Sequence, residues 1–108
     1  MEDQMNVVQS IGDALTQLDT QLQSGDPPTQ SAQWQLLMAM RKHLDAQQLS
    51  LIQKEFKADD VAFQTIAGTL QTATQELDQE IASTHRIDRI IAIASQISAS
   101  ADQLLKLA

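Results

Sequence analysis

Apolar residues recur at alternating steps of three and four positions over residues 84–108, the last part of the chain. The repeat consists of Ile87, Ile90, Ala94, Ile97, Ala101, Leu104 and Ala108. This spacing is typical of an amphipathic helix that buries one face. Ile91, Ile93, Leu105 and Leu107 widen the face, so that a single neighbouring helix would not cover it. The pattern predicts a helix over about residues 85–107 that packs against several others.

Three earlier stretches repeat the same spacing and predict three more helices, over about residues 2–24, 30–57 and 60–82. Their apolar stripes are Met5, Val8, Ile11, Leu15, Leu18 and Leu22 in the first, Trp34, Leu37, Met40 or Arg41, Leu44 and Leu51 in the second, and Phe63, Ile66, Leu70, Ala73, Leu77 and Ile81 in the third.

Residues at the ends of these stretches support the boundaries. Gly25 favours the left-handed conformation that closes a helix, and the prolines that follow at 27 and 28 cannot continue its hydrogen bonding. Thr29 or Ser31 is suited to begin the second helix as its N-cap, and Asp59 or Asp60 the third. Ser83 or Thr84 is expected to begin the fourth.

Composition limits the fold class. Three Gly and two Pro in 108 residues are too few for the turns of an all-β fold, and this length holds one core. We therefore predict an all-α protein, with residues 1–108 forming a single domain folded as an antiparallel up-down-up-down four-helix bundle.

Acidic and basic segments alternate along the chain. Residues 1–26 and residues 58–82 each contain five acidic residues and no basic one, whereas basic residues outnumber acidic ones in the two other segments. If consecutive helices surround the core in order, the two acidic helices lie diagonally and have only basic neighbours. Exposed ion pairs contribute about 0 to 1 kcal/mol each, so the alternation bears on helix placement more than on stability.

The same composition excludes several classes of function. A net charge of −7 disfavours binding to nucleic acid or to anionic membranes, and the lack of cysteine excludes disulfides and thiolate metal sites. The acidic N-terminus and the lack of a long apolar run argue against a signal peptide and a membrane span. We expect a soluble, cytoplasmic protein whose partner, if recruited by charge, is basic.

No catalytic or cofactor motif is present. Met40 precedes His43 by three positions and Ala82 precedes His85 by three, so neither histidine belongs to the Glu-x-x-His pairs of di-iron bundles. There is no His-Glu-x-x-His zinc motif, no Gly-x-Ser-x-Gly and no glycine-rich phosphate loop. The sequence predicts neither an enzyme nor a metal or cofactor site.

The second and fourth helices have more apolar residues than one buried face needs, which favours a role in protein binding. The candidate partner-binding residues are Trp34, Leu36, Met38, Leu49, Ile93 and Leu107. For Trp34 the alternative is a lid over the core, and for Gly68, inside the third helix, the alternatives are a tolerated surface position and a close approach of another helix.

The predicted function is a non-catalytic protein-interaction module, of the kind found among small acidic chaperones, immunity proteins and regulators, that binds another protein or a second copy of itself. Two alternatives stay open: an acidic inhibitor that mimics nucleic acid to block a basic protein, and a purely structural homo-oligomer.

Overall fold

The predicted all-α four-helix bundle is confirmed by the computed structural model, which describes residues 2–54, 56, 60–83 and 86–107. Within these residues the helices are α1 (Glu2–Gln23), α2 (Ala32–Gln53), α3 (Val61–Ser83) and α4 (Ile87–Leu107). Each helix contributes to one apolar core, and the side chains at its centre include Ile11, Leu18, Leu37, Leu44, Leu70, Leu77, Ile90 and Ile97.

The turn between α1 and α2 has the expected chemistry. Gly25 follows α1 with a φ of 89°, a conformation that residues with a side chain rarely adopt. The Ser31 hydroxyl accepts a hydrogen bond from the Trp34 backbone N–H at 3.1 Å and so caps the start of α2. Of the two proposed N-caps, Ser31 is therefore the correct one.

Helix α2 is shorter than predicted, because it ends at Gln53 instead of near residue 57. The backbone of Lys54 is extended, and its N–H donates a hydrogen bond to the Leu51 carbonyl at 3.3 Å, which caps the end of the helix. Beyond this point the ring of Phe56 lies 4.6 Å from the ring of Phe63 at the start of α3. The end of α2 is thus followed by an aromatic contact with the start of α3, and no Gly or Pro signals this end in the sequence.

Helices α3 and α4 begin slightly later than predicted. The Asp60 carboxylate accepts from the Phe63 N–H at 3.2 Å, which makes Asp60 the N-cap of α3, while Asp59 lies outside the described residues. Ser83 is the last residue of α3, and its hydroxyl donates to the Gln79 carbonyl, so it does not cap α4. The other predicted cap, Thr84, lies outside the described residues, as does His85.

The predicted placement of the acidic helices is wrong. Helix α1 packs against α2 and α3, and α4 packs against the same two helices, so that α1 lies diagonal to α4 and α2 diagonal to α3. The acidic helices α1 and α3 are therefore neighbours. Apolar burial outweighs surface charge in deciding which helices pack together. Burying an apolar side chain contributes about 1.5 to 3 kcal/mol, whereas an exposed ion pair contributes about 0 to 1 kcal/mol.

Three polar contacts show that α1 and α2 run antiparallel. Trp34 Nε1 donates to the Leu22 carbonyl at 3.0 Å, the Arg41 guanidinium makes two hydrogen bonds to the Asp19 carboxylate at 2.9 and 3.1 Å, and Gln48 Nε2 donates to the Val8 carbonyl at 3.0 Å. From one contact to the next, the residue number increases on α2 and decreases on α1, so the start of α2 lies beside the end of α1.

Gly68 lies on the exposed side of α3. A Cβ atom added there would have no neighbour within 4 Å. Of the two alternatives, the tolerated surface position agrees with this geometry, and no helix approaches closely.

Candidate interaction surfaces

A groove runs between α2 and α4, and it is mainly apolar. It has a volume of about 590 Å³, and we call it the α2–α4 groove. The lining residues are Leu36, Ala39, Met40, His43, Gln47, Ser95, Ser98, Ala99 and Asp102. Space remains between the two helices because α4 presents small side chains at Ser95, Ser98 and Ala99 to the longer side chains of α2.

A polar contact joins the two helices in this groove. The side chain of Gln47 is buried, its Nε2 donates to the Ser98 carbonyl at 3.0 Å, and its Oε1 accepts from the Ser98 hydroxyl at 3.0 Å. A buried amide without partners would be costly, so the pairing fixes the position of α2 against α4.

A second groove, between α1 and α3, is lined by polar residues. It has a volume of about 300 Å³, and we call it the α1–α3 groove. The lining residues are Asn6, Gln9, Ser10, Asp13, Gln71, Thr74, Gln75 and Asp78. The groove exists because the two acidic helices are neighbours, and it places two carboxylates on one surface.

Asp78 has an unfavourable environment in this groove. Its Oδ1 atom is buried and has no hydrogen-bond donor among the described residues. Burial raises the pKa of the Asp78 carboxyl, and the nearby Asp13 carboxylate raises it further. The ionised form of Asp78 therefore destabilises the folded protein.

This environment predicts a pH-dependent effect of Asp78→Asn. Because the pKa is higher in the folded than in the unfolded chain, the destabilisation by Asp78 is fully present above the folded pKa and disappears as the pH falls through the unfolded pKa, about 3.9. We expect Asp78→Asn to raise the free energy of unfolding by about 1 kcal/mol at pH 7, with a smaller gain towards pH 4.

Urea unfolding followed by circular dichroism at several pH values measures this gain. Glu76→Gln, at an exposed position of the same helix, is the control and should change stability little at any pH. If the free energy of unfolding changed with pH in the same way for the wild type and Asp78→Asn, the raised pKa of Asp78 would be contradicted.

The predicted partner-binding residues do not form one surface. Leu36, Leu49 and Leu107 are exposed by 50%, 56% and 40%, and of these only Leu36 lines the α2–α4 groove. Trp34 and Met38 are half-buried against the core.

The predicted exposure of Ile93 is wrong, because this residue is only 3% exposed and belongs to the core. The prediction placed Ile93 on a flank of α4 that neighbouring helices leave uncovered. Helix α4 instead packs against both α2 and α3, which bury Ile93, while Ile91 and Leu105 are partly buried and Leu107 is exposed.

Sequence reasoning missed both grooves. His43, Gln47 and Asp102 line the first, and Asp13 with Asp78 lines the second. The surplus of apolar residues on α2 pointed to the first groove in general terms. Nothing in the sequence pairs Asp13 with Asp78, because that proximity depends on which helices are neighbours.

In the described part of the chain, no group of three or more His, Cys, Asp or Glu residues could hold a metal ion. None of the helices described is both long and apolar enough to cross a membrane. The sequence matches no protein-family model, and neither a curated protein nor a solved structure is similar to it.

Proposed function

We propose that this protein is a non-catalytic interaction module that binds a basic segment of another protein along α1 and α3. The observation that supports the proposal is the packing of these two helices side by side. Helix α1 contains four acidic residues and α3 three, and neither contains Lys or Arg. A face of this kind attracts a positively charged partner and repels acidic proteins and nucleic acids.

Part of this negative charge is not neutralised within the bundle. Arg41 of α2 pairs with Asp19 at 2.9 Å, and Arg89 of α4 approaches Glu80 at 3.5 Å. Asp13, Glu76 and Asp78 have no ion pair with any described residue. Among the acidic side chains of α1 and α3 that the structure describes, these three are the charges left for a partner.

The α1–α3 groove suits a guanidinium or ammonium group. Its amide side chains and the carboxylates of Asp13 and Asp78 that line it offer hydrogen-bond acceptors. A hydrogen bond to a charged group contributes about 1.5 to 3 kcal/mol. A cation in the groove would also offset the repulsion between Asp13 and Asp78.

Mimicry of nucleic acid is the second candidate, and the neighbouring acidic helices favour it as well. The groove holds two carboxylates among eight polar residues, which is a sparser charge than a row of phosphates. We therefore keep binding of a basic protein segment as the main proposal. We also retain the cytoplasm as the proposed compartment, which the lack of cysteine fits.

Calorimetry with a synthetic amphipathic helical peptide that carries Lys and Arg along one face tests the proposal. We expect the peptide to bind, the affinity to fall as salt is added, and Asp13→Asn or Asp78→Asn to weaken binding by about two- to five-fold. Asp88→Asn, at an exposed position of α4, is the matched control and should leave the affinity unchanged.

A version of the peptide with Gln in place of Lys and Arg should not bind. Lack of binding by the basic peptide, or an equal loss of affinity in Asp88→Asn, would contradict the proposal. Competition between duplex DNA and this protein for a basic DNA-binding protein would favour mimicry instead.

A further inference from the structure

We infer that two copies of this chain associate through their α2–α4 grooves, with Leu36 of each copy inserted into the groove of the other. This contact lies on α2 and α4, away from the α1–α3 groove, and is independent of the proposed binding of a basic segment. Three features of the described structure support a second copy as the occupant.

The first feature is that the α2–α4 side contains both a protruding apolar group and a recess. Leu36 is half-exposed, and the groove beside it is bordered on α4 by the small side chains of Ser95, Ser98 and Ala99. A surface with both parts can pair with itself about a two-fold axis, because each copy supplies the protrusion that the other accepts. Met40 and Ala39 add apolar surface beside Leu36.

The second feature is the distribution of charge. Arg41 and Arg89 pair with Asp19 and Glu80 of the acidic helices. The remaining charged residues of α2 and α4 are two basic and three acidic ones, so this side of the bundle is close to neutral: Lys42, Lys106, Asp45, Asp88 and Asp102. The excess negative charge lies on α1 and α3. Contact through α2 and α4 therefore points the acidic faces of the two copies away from each other.

The separation that results is large enough to limit repulsion. The bundle measures 23 and 16 Å in its two shorter directions. Across two bundles, the acidic faces lie further apart than the Debye length, which is about 8 Å at physiological ionic strength. Association through α1 and α3 would instead bring the uncompensated carboxylates into contact.

The third feature is size. Each helix rises about 1.5 Å per residue and is about 10 Å wide with its side chains, so two helices of 22 and 21 residues that lie side by side present a face of roughly 600 Å². Stable interfaces bury about 600 to 1,000 Å² on each partner. The α2–α4 side is at the lower end of this range, which is typical of a reversible dimer.

Sedimentation equilibrium of the full chain over a range of concentrations tests the inference. We expect the wild-type mass to rise from 11.9 kDa towards twice that value. Leu36→Asp should raise the dissociation constant about tenfold or more, and Ala99→Lys, at an exposed position in the same groove, should do the same. Leu49→Asp places the same charge on an exposed position of α2 that does not line the groove, and it should leave the dimer intact.

A wild-type protein that stays monomeric at all concentrations would overturn the inference, as would equal weakening by Leu36→Asp and Leu49→Asp. Circular dichroism of each variant establishes that the helices are retained. Binding of the basic peptide to Leu36→Asp separates the two proposals, because a monomeric variant should still bind it with wild-type affinity.

Discussion

Replacement of Ile93 by Asp is expected to unfold the bundle, whereas the same substitution at Leu49 should leave it folded. Ile93 is 3% exposed among the core residues of α4, and a carboxylate there would be buried without a partner. The expected loss is about 4 kcal/mol or more, a large part of the stability of a domain of this size. Leu49 is 56% exposed, so its replacement should change the free energy of unfolding by about 0.5 kcal/mol or less.

Thermal unfolding followed by circular dichroism compares the two variants directly. A folded Ile93→Asp protein with a melting temperature near that of the wild type would show that the flank of α4 is uncovered, as the apolar pattern had suggested. Loss of helix in Leu49→Asp would show that this part of α2 is core.

Trp34→Ala is expected to have the second largest effect, with a loss of about 3 kcal/mol. The indole packs against the core near the turn between α1 and α2, and its Nε1 donates to the Leu22 carbonyl at 3.0 Å. Trp34→Phe keeps most of the apolar contact and removes the hydrogen bond, so its expected cost is about 1 kcal/mol.

Urea denaturation followed by far-ultraviolet circular dichroism is the appropriate measurement, because the variants lack the only tryptophan. Gln33→Ala, at an exposed position one residue earlier, is the control and should be close to neutral. If Trp34→Ala unfolds at the same urea concentration as the wild type, the indole is a surface anchor and not a lid over the core.

The helices could be predicted from the sequence because their signals are local. A spacing of three and four residues identified all four, and Gly25 with its following prolines placed the end of α1 within one residue. The end of α2 could not be predicted in this way. No Gly or Pro marks it, and the spacing of apolar residues does not reveal the contact of Phe56 with Phe63 that follows the helix.

The order of the helices around the core could not be predicted, because the alternation of acidic and basic segments contributes little to the free energy of folding. Alternating charge favoured a diagonal placement of α1 and α3, yet the fit of the apolar faces decides which helices pack together. The error about Ile93 has the same origin, since whether a wide apolar face is buried depends on how many helices meet it. The candidate grooves follow from this order. Leu36, a predicted partner-binding residue, lines one of them, whereas the proximity of Asp13 and Asp78 in the other could not be predicted.

The packing of α1 beside α3 determines both the acidic face and the neutral α2–α4 side. The chain contains no cysteine, so introduced pairs can be cross-linked without background. Gln9 and Gln75 line the α1–α3 groove, whereas Ser95 lies on the diagonal helix α4, and all three are exposed.

Treatment of dilute Gln9→Cys/Gln75→Cys protein with a short bifunctional maleimide should give a high yield of intramolecular cross-link, and Gln9→Cys/Ser95→Cys protein should give little. Efficient cross-linking of the Gln9→Cys/Ser95→Cys pair with failure of the Gln9→Cys/Gln75→Cys pair would contradict this packing, because it would place α1 beside α4 and separate the two acidic helices.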